Sequence, residues 1–176
     1  MKKKTMLAVV AALWALCEVA PHAQEKKPLS PPAKAEATVA GKKITINYSA
    51  PSMRGRKIMG GLVPYGEVWR TGANAATSLV TEAPLTIGSL NVPQGSYTLF
   101  TLPGEKEWTL IISKQTGQWG SDYDKAQDLG RVPLKVRKLD KPVETFAIAV
   151  VPGKGKDATL TLTWENTEAS VPVSVK

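Results

Sequence analysis

The segment Trp69-Arg70-Thr71-Gly72-Ala73-Asn74 holds the residues of this chain best suited to recognition chemistry. Arg70 offers five N–H donors in a fixed fork that matches carboxylate or phosphate oxygens. Asn74 adds one acceptor and two donors, and the Trp69 indole can stack on a sugar face or an aromatic ring. Pro51 to Thr77, the stretch around them, also holds Arg54, Arg56 and Tyr65, so three of the five arginines lie within it. A second irregular stretch, Gln115 to Asp128, carries Trp119 near Tyr123. Arg56, Tyr65, Trp69, Arg70, Asn74 and Trp119 are therefore the candidate ligand-binding residues. The kit suits an anionic or carbohydrate ligand. In the plainer reading Arg70 pairs inside the fold with a carboxylate such as Glu67 or Glu165, and Asn74 satisfies loop backbone, as buried polar groups must. Arg54 and Arg56 then read as solvated surface.

Catalysis has less to draw on. The single cysteine, Cys17, and the single histidine, His22, both fall in the first 23 residues. Without them the chain has no thiol nucleophile, no Ser-His-Asp triad and no His-ligated metal. No catalytic residue is assigned, and neither a metal nor a cofactor is expected. Asp122, Asp124 and Asp128 cluster and Glu67 adjoins the central loop. A carboxylate-based hydrolase is thus one alternative function, needing two carboxyls about 5–9 Å apart. The spacing in Ser121 to Asp128 is too irregular for a calcium loop. The other alternative is a structural or protein-interaction domain with the central loop packed inward.

The first residues read as a secretory signal. Lys2, Lys3 and Lys4 precede the 12-residue apolar run Met6 to Cys17. A membrane span needs about 17–25 residues, so this run fits a signal h-region and no transmembrane span is expected. Residues 1–23 are read as the signal peptide and the location as periplasmic or secreted. Lipidation at Cys17 is not expected, because Trp14-Ala15-Leu16 departs from the usual Leu-x-small pattern. The whole chain has 23 Lys and Arg against 15 Asp and Glu, and removing residues 1–23 leaves a net charge of +6. That balance favours acidic partners. No basic stripe interleaved with aromatics is present, so nucleic acid is not an expected partner.

Residues 24–34, with three prolines and no apolar period, read as a flexible linker. Residues 35–176 read as one domain. Ile44, Ile46 and Tyr48 alternate with polar residues, as do Ala158, Leu160, Leu162 and Trp164; both patterns are strands with one face buried. Leu85 to Val92 reads as a hairpin on a two-residue Gly88-Ser89 turn. Trp108 and Trp164 fall in phase with core positions. Further short strands are read at 78–82, 96–102, 108–112, 130–138, 145–151 and 171–175, with Pro172 suggesting an edge, and one capped helical turn after Ser121 or Asp122. The expected fold is all-β, a single-domain antiparallel β-sandwich of jelly-roll or immunoglobulin-like type with long ordered loops.

Three blocks carry a family resemblance: GRKIMGGLVPYGEVWRTGANAAT, VPQGSYTLFTLPGEKEWTLIISKQTGQWG and ATLTLTWENTEASVPV. Together they resemble DUF2911, a family of secreted bacterial proteins of unknown function, over about Ser30 to Val175. The resemblance implies a secreted or periplasmic single domain and no particular activity. It also implies an acidic residue after the Asn of TGAN, where this chain has Ala75.

Overall fold

The computed structural model describes residues 28–176. The signal-peptide reading of residues 1–23 and the first four residues of the linker reading, 24–27, lie outside them. Nine strands follow in chain order: β1 (Pro32–Val39), β2 (Lys42–Ser49), β3 (Thr77–Thr81), β4 (Leu85–Ile87), β5 (Leu90–Val92), β6 (Gly95–Leu102), β7 (Trp108–Ser113), β8 (Asp128–Pro152) and β9 (Asp157–Val175). Among the described residues the only helix is a single 3-10 turn at Lys125–Gln127, and no helix is long and apolar enough to cross a membrane.

All neighbours pair antiparallel in one sheet of order β1-β2-β3-β6-β7-β8-β9-β4-β5. The domain is all-β, as the alternating patterns predict. The two expected layers are halves of this one sheet, because β8 belongs to both. Its first residues, Asp128 to Leu134, pair with β7, and Lys135 to Pro152 pair with β9. Strands from the two ends of the sheet order face each other across the core. Ile44, Ile46 and Leu79 from β2 and β3 and Leu85, Ile87, Val150, Leu160 and Val173 from the other half surround one small apolar void. Alternation drives this closure, since each strand must bury one apolar face and the two halves supply each other's cover.

Turns fall where the backbone chemistry demands them. Gly88, at φ +57°, starts the two-residue turn between β4 and β5, as the sequence predicts. Ala40 and Gly41, at φ +49° and +74°, form the two-residue turn between β1 and β2. That turn is not evident in the sequence, because alanine seldom accepts a left-handed conformation. β1 starts at Pro32, inside the stretch read as linker. Pro172 costs the sheet no rung of its ladder to β4, which begins only at Val173.

Two pairs of predicted strands prove continuous: 130–138 with 145–151, and 158–165 with 171–175. Each pair is one long strand with an irregular joint. The β8–β9 register shifts on either side of the Val143–Glu165 pair. Glu165 there is left-handed, at φ +50°. The joint flips the phase of β9. Even-numbered residues Ala158 to Trp164 face the core before it, and odd-numbered Ala169 to Val175 face it afterwards. Bulges of this kind re-aim side chains and bend strands.

β6 and β7 are buried on both faces. Leu99 and Leu110 face the core, whereas Phe100 and Ile111 face outward and are equally buried. The irregular segment 115–128 covers that outer face: Tyr123 meets Phe100 edge-to-face at 5.0 Å, and Thr98 Oγ1 donates to Gln118 Oε1 at 3.3 Å. Its helical turn starts later than predicted. Asp124, not Ser121 or Asp122, is the cap and accepts from the Ala126 amide at 2.9 Å.

Candidate functional site

The central loop is an ordered layer against the end of the sheet. Trp69 and Thr101 exchange backbone hydrogen bonds of 2.7 and 2.8 Å, which adds a rung beside β6. Thr71, at φ +54°, is fully buried, and its carbonyl accepts from Thr77 Oγ1 at 2.7 Å. Ser49 carbonyl takes the Ala73 amide at 3.2 Å. A Cβ on Gly72 would come within 3.0 Å of that same carbonyl, so only glycine fits there easily.

An aromatic cluster supports this layer. The Trp69 ring lies parallel to Trp164 at 5.8 Å and edge-on to Phe146 at 5.0 Å, and Tyr48 closes on Phe146 at 5.6 Å. Each indole also has a hydrogen-bond acceptor: Trp69 Nε1 donates to Gly72 O and Trp164 Nε1 to Glu144 O, both at 3.1 Å. The cluster is apolar where it is buried and satisfied where it is polar, so it holds the loop in one position.

Above it opens a cleft of about 350 Å³ lined by Arg56, Trp69, Arg70 and Asn74 together with Leu29, Leu62, Val63 and Trp164. Four of the six predicted ligand residues are thus brought together. Trp119 stands beside them, 57% exposed, and its backbone bridges Ala75. Tyr65 does not join them. It lies in a separate cleft with Met59, Arg137 and Glu165, its ring laid against Gly60.

The internal partner expected for Arg70 is not there. Among the described residues no carboxylate lies within 4.0 Å of its guanidinium, and its Nε is buried without a hydrogen-bond partner. Glu165 is occupied elsewhere, accepting the Ile58 and Met59 amides at 3.1 and 3.0 Å. Glu67 is exposed. Nor does the Asn74 side chain cap the loop. Asn74 is left-handed at φ +59°, a conformation asparagine tolerates, and its carbonyl accepts the Gly120 amide at 3.2 Å. Arg56 is exposed, yet it donates to Met53 O at 2.9 Å and Ser52 O at 2.7 Å. Arg54, exposed as expected, donates to Leu29 O.

Gly120 was not singled out by the sequence and is decisive for Arg70. A Cβ there would collide with Arg70 Cδ and stand 2.5 Å from Asn74 O. Gly120→Ala should therefore displace the Arg70 stem and cost about 1–3 kcal/mol, since the Asn74 carbonyl, unlike that stem, is backbone and cannot yield. Thermal denaturation reads the cost, and unchanged stability would show that the two loops do not meet as described. Its signal in the sequence is only a glycine after Trp119.

Two of the three carboxylates of segment 115–128 serve the fold, and the third, Asp122, is exposed and accepts from the neighbouring Ser121 Oγ at 3.1 Å. Asp124 caps the 3-10 turn, and Asp128 pairs with Arg131 at 2.8 Å and accepts from Tyr123 Oη at 3.0 Å. Burial, then Asp128, pushes the Tyr123 hydroxyl above its ordinary pKa. Among the described residues no three His, Cys, Asp or Glu side chains gather to hold a metal ion.

Fold and cleft together describe a single antiparallel β domain with an arginine-bearing surface cleft. A family model described as a protein of unknown function, DUF2911, matches residues 30–173, and the chain belongs to that family. No curated protein and no solved structure matches it.

Proposed function

We propose that this is a periplasmic or secreted binding or accessory module that takes an anionic ligand in the Arg70 cleft. The observation that carries the reading is the Arg70 guanidinium, unpaired within the fold and set among residues that include no carboxylate. Arg70 Nε is buried, so an anion would meet the terminal Nη groups, to which the described residues offer no acceptor. Export rests on the Lys2–Lys4 and Met6–Cys17 pattern.

A melting-temperature screen with organic anions, phosphates and glycans tests the reading. A ligand at 100 times its Kd stabilises by about 2.7 kcal/mol, or about 5–10 °C for a domain of this size. Arg70→Ala should abolish that rise while changing the stability of the free protein by no more than about 1 kcal/mol, because no internal ion pair is lost. The competing reading, in which the loop serves only packing, finds support in the half-buried Trp69 stacked on Trp164. It requires that no anion raise the melting point.

A further inference from the structure

We infer that the ligand of this cleft is an amphipathic monoanion: a small carboxylate carrying an aliphatic or aromatic body, rather than an inorganic anion or a sugar. The inference rests on the anion-binding reading above and names its ligand class. Charge sets the headgroup. Arg56 commits Nε and one Nη nitrogen to the carbonyls of Met53 and Ser52. Arg70 is the one guanidinium of the cleft with no protein acceptor. A single unspent fork matches the two oxygens of a carboxylate in geometry. Arg56, whose charge the neutral carbonyls do not cancel, adds to the field that attracts it. The apolar walls, not charge, disfavour a phosphate.

The walls set the body. Leu29 is 71% exposed and Leu62 48% exposed, and both stand on this cleft with Pro51, Val63 and Trp69. Single exposed apolar residues are ordinary, but two on the rim of one arginine cleft offer cover to an apolar ligand. Among the described residues, Asn74 and Ser30 are, apart from the arginines, the only polar side chains lining it besides the Trp69 and Trp164 indoles, whose N–H groups are bonded to backbone. A sugar, with hydroxyls on every side, would leave most of them unmatched. The volume of about 350 Å³ is at the small end of ligand sites, and suits a small molecule.

Calorimetric and tryptophan-fluorescence titrations with octanoate, phenylacetate, acetate, inorganic phosphate, 1-octanol and methyl glucoside test this. Octanoate or phenylacetate should bind about tenfold or more tighter than acetate, since each buried methylene is worth roughly fourfold, and with a negative heat-capacity change. Leu62→Ser, at an exposed position that should not disturb folding, should weaken octanoate about fivefold and leave acetate unchanged. Arg70→Lys should weaken both acids about tenfold, because lysine keeps the charge and loses the fork. Acetate or phosphate binding as tightly as octanoate would overturn the amphiphile and leave the anion reading standing. Octanol or glucoside binding as tightly as octanoate, or no probe binding at all, would overturn both.

Discussion

Phe146→Ala should lower the stability of the domain by about 3–5 kcal/mol. The ring is 2% exposed and sits among three others, with Trp69 at 5.0 Å, Tyr48 at 5.6 Å and Trp164 at 5.8 Å. None of these neighbours can fill the space freely. Both indoles are tied by N–H bonds to backbone, and the Tyr48 hydroxyl accepts the Ile148 amide at 3.1 Å. A cavity should therefore remain, and its volume adds to the lost burial. With a urea m-value of about 1–3 kcal/mol/M, the midpoint should fall by about 1 M or more at constant m. Phe146→Leu, which keeps most of the volume, should lose far less. A loss below about 1 kcal/mol would mean that the aromatic cluster does not pack as described.

Glu165→Ala should cost about 2–6 kcal/mol, from two amides left without an acceptor at about 1–3 kcal/mol each. Those amides belong to Ile58 and Met59, which are 0% and 5% exposed, and among the described residues no other group accepts from them. Glu165 itself pays for a left-handed backbone at φ +50°. For a non-glycine residue that conformation costs on the order of 1–3 kcal/mol, and it persists because the two amide bonds hold it. Glu165→Gln keeps one acceptor oxygen and should lose about half as much. Glu165→Gly relieves the backbone but keeps neither bond, so it should fall between Gln and Ala. Hydrogen exchange at Ile58 and Met59 is the direct readout, and both amides should lose protection in the Ala variant. Retained protection there would show that other acceptors serve them. Leu62 and Val63 follow in the same loop and wall the Arg70 cleft, so the Ala variant should also weaken binding of any ligand held by that wall.

Much of this was legible beforehand because strands announce themselves locally. The alternation in β2 and in the first half of β9, and the turn at Gly88-Ser89, depend on residues two to eight apart. The same holds for the core assignment of Trp108 and Trp164, now 3% and 2% exposed. The family blocks also identified the membership that the match over residues 30–173 shows. The joint in β9 was different. Its two halves present opposite phases, and the sequence reads that as two strands, because a left-handed glutamate is not a local signal.

The candidate residues were recognisable by type, as Arg70, Asn74 and Trp69 on one irregular stretch. Their company was not. That Tyr65 turns into another cleft, that Trp119 stands by Ala75, and that Gly120 makes room for the Arg70 stem depend on chain segments tens of residues apart. Pairing of Arg70 with Glu165 was a sound local guess, since both are charged and semi-buried. Tertiary structure decided otherwise, because two buried amides had a prior need for that carboxylate. The sequence by itself determined the strands, the turns and the donors, whose preferences are set by neighbouring residues. Only the folded-over sheet decided which of those donors were left without an acceptor, because that depends on every group packed around them.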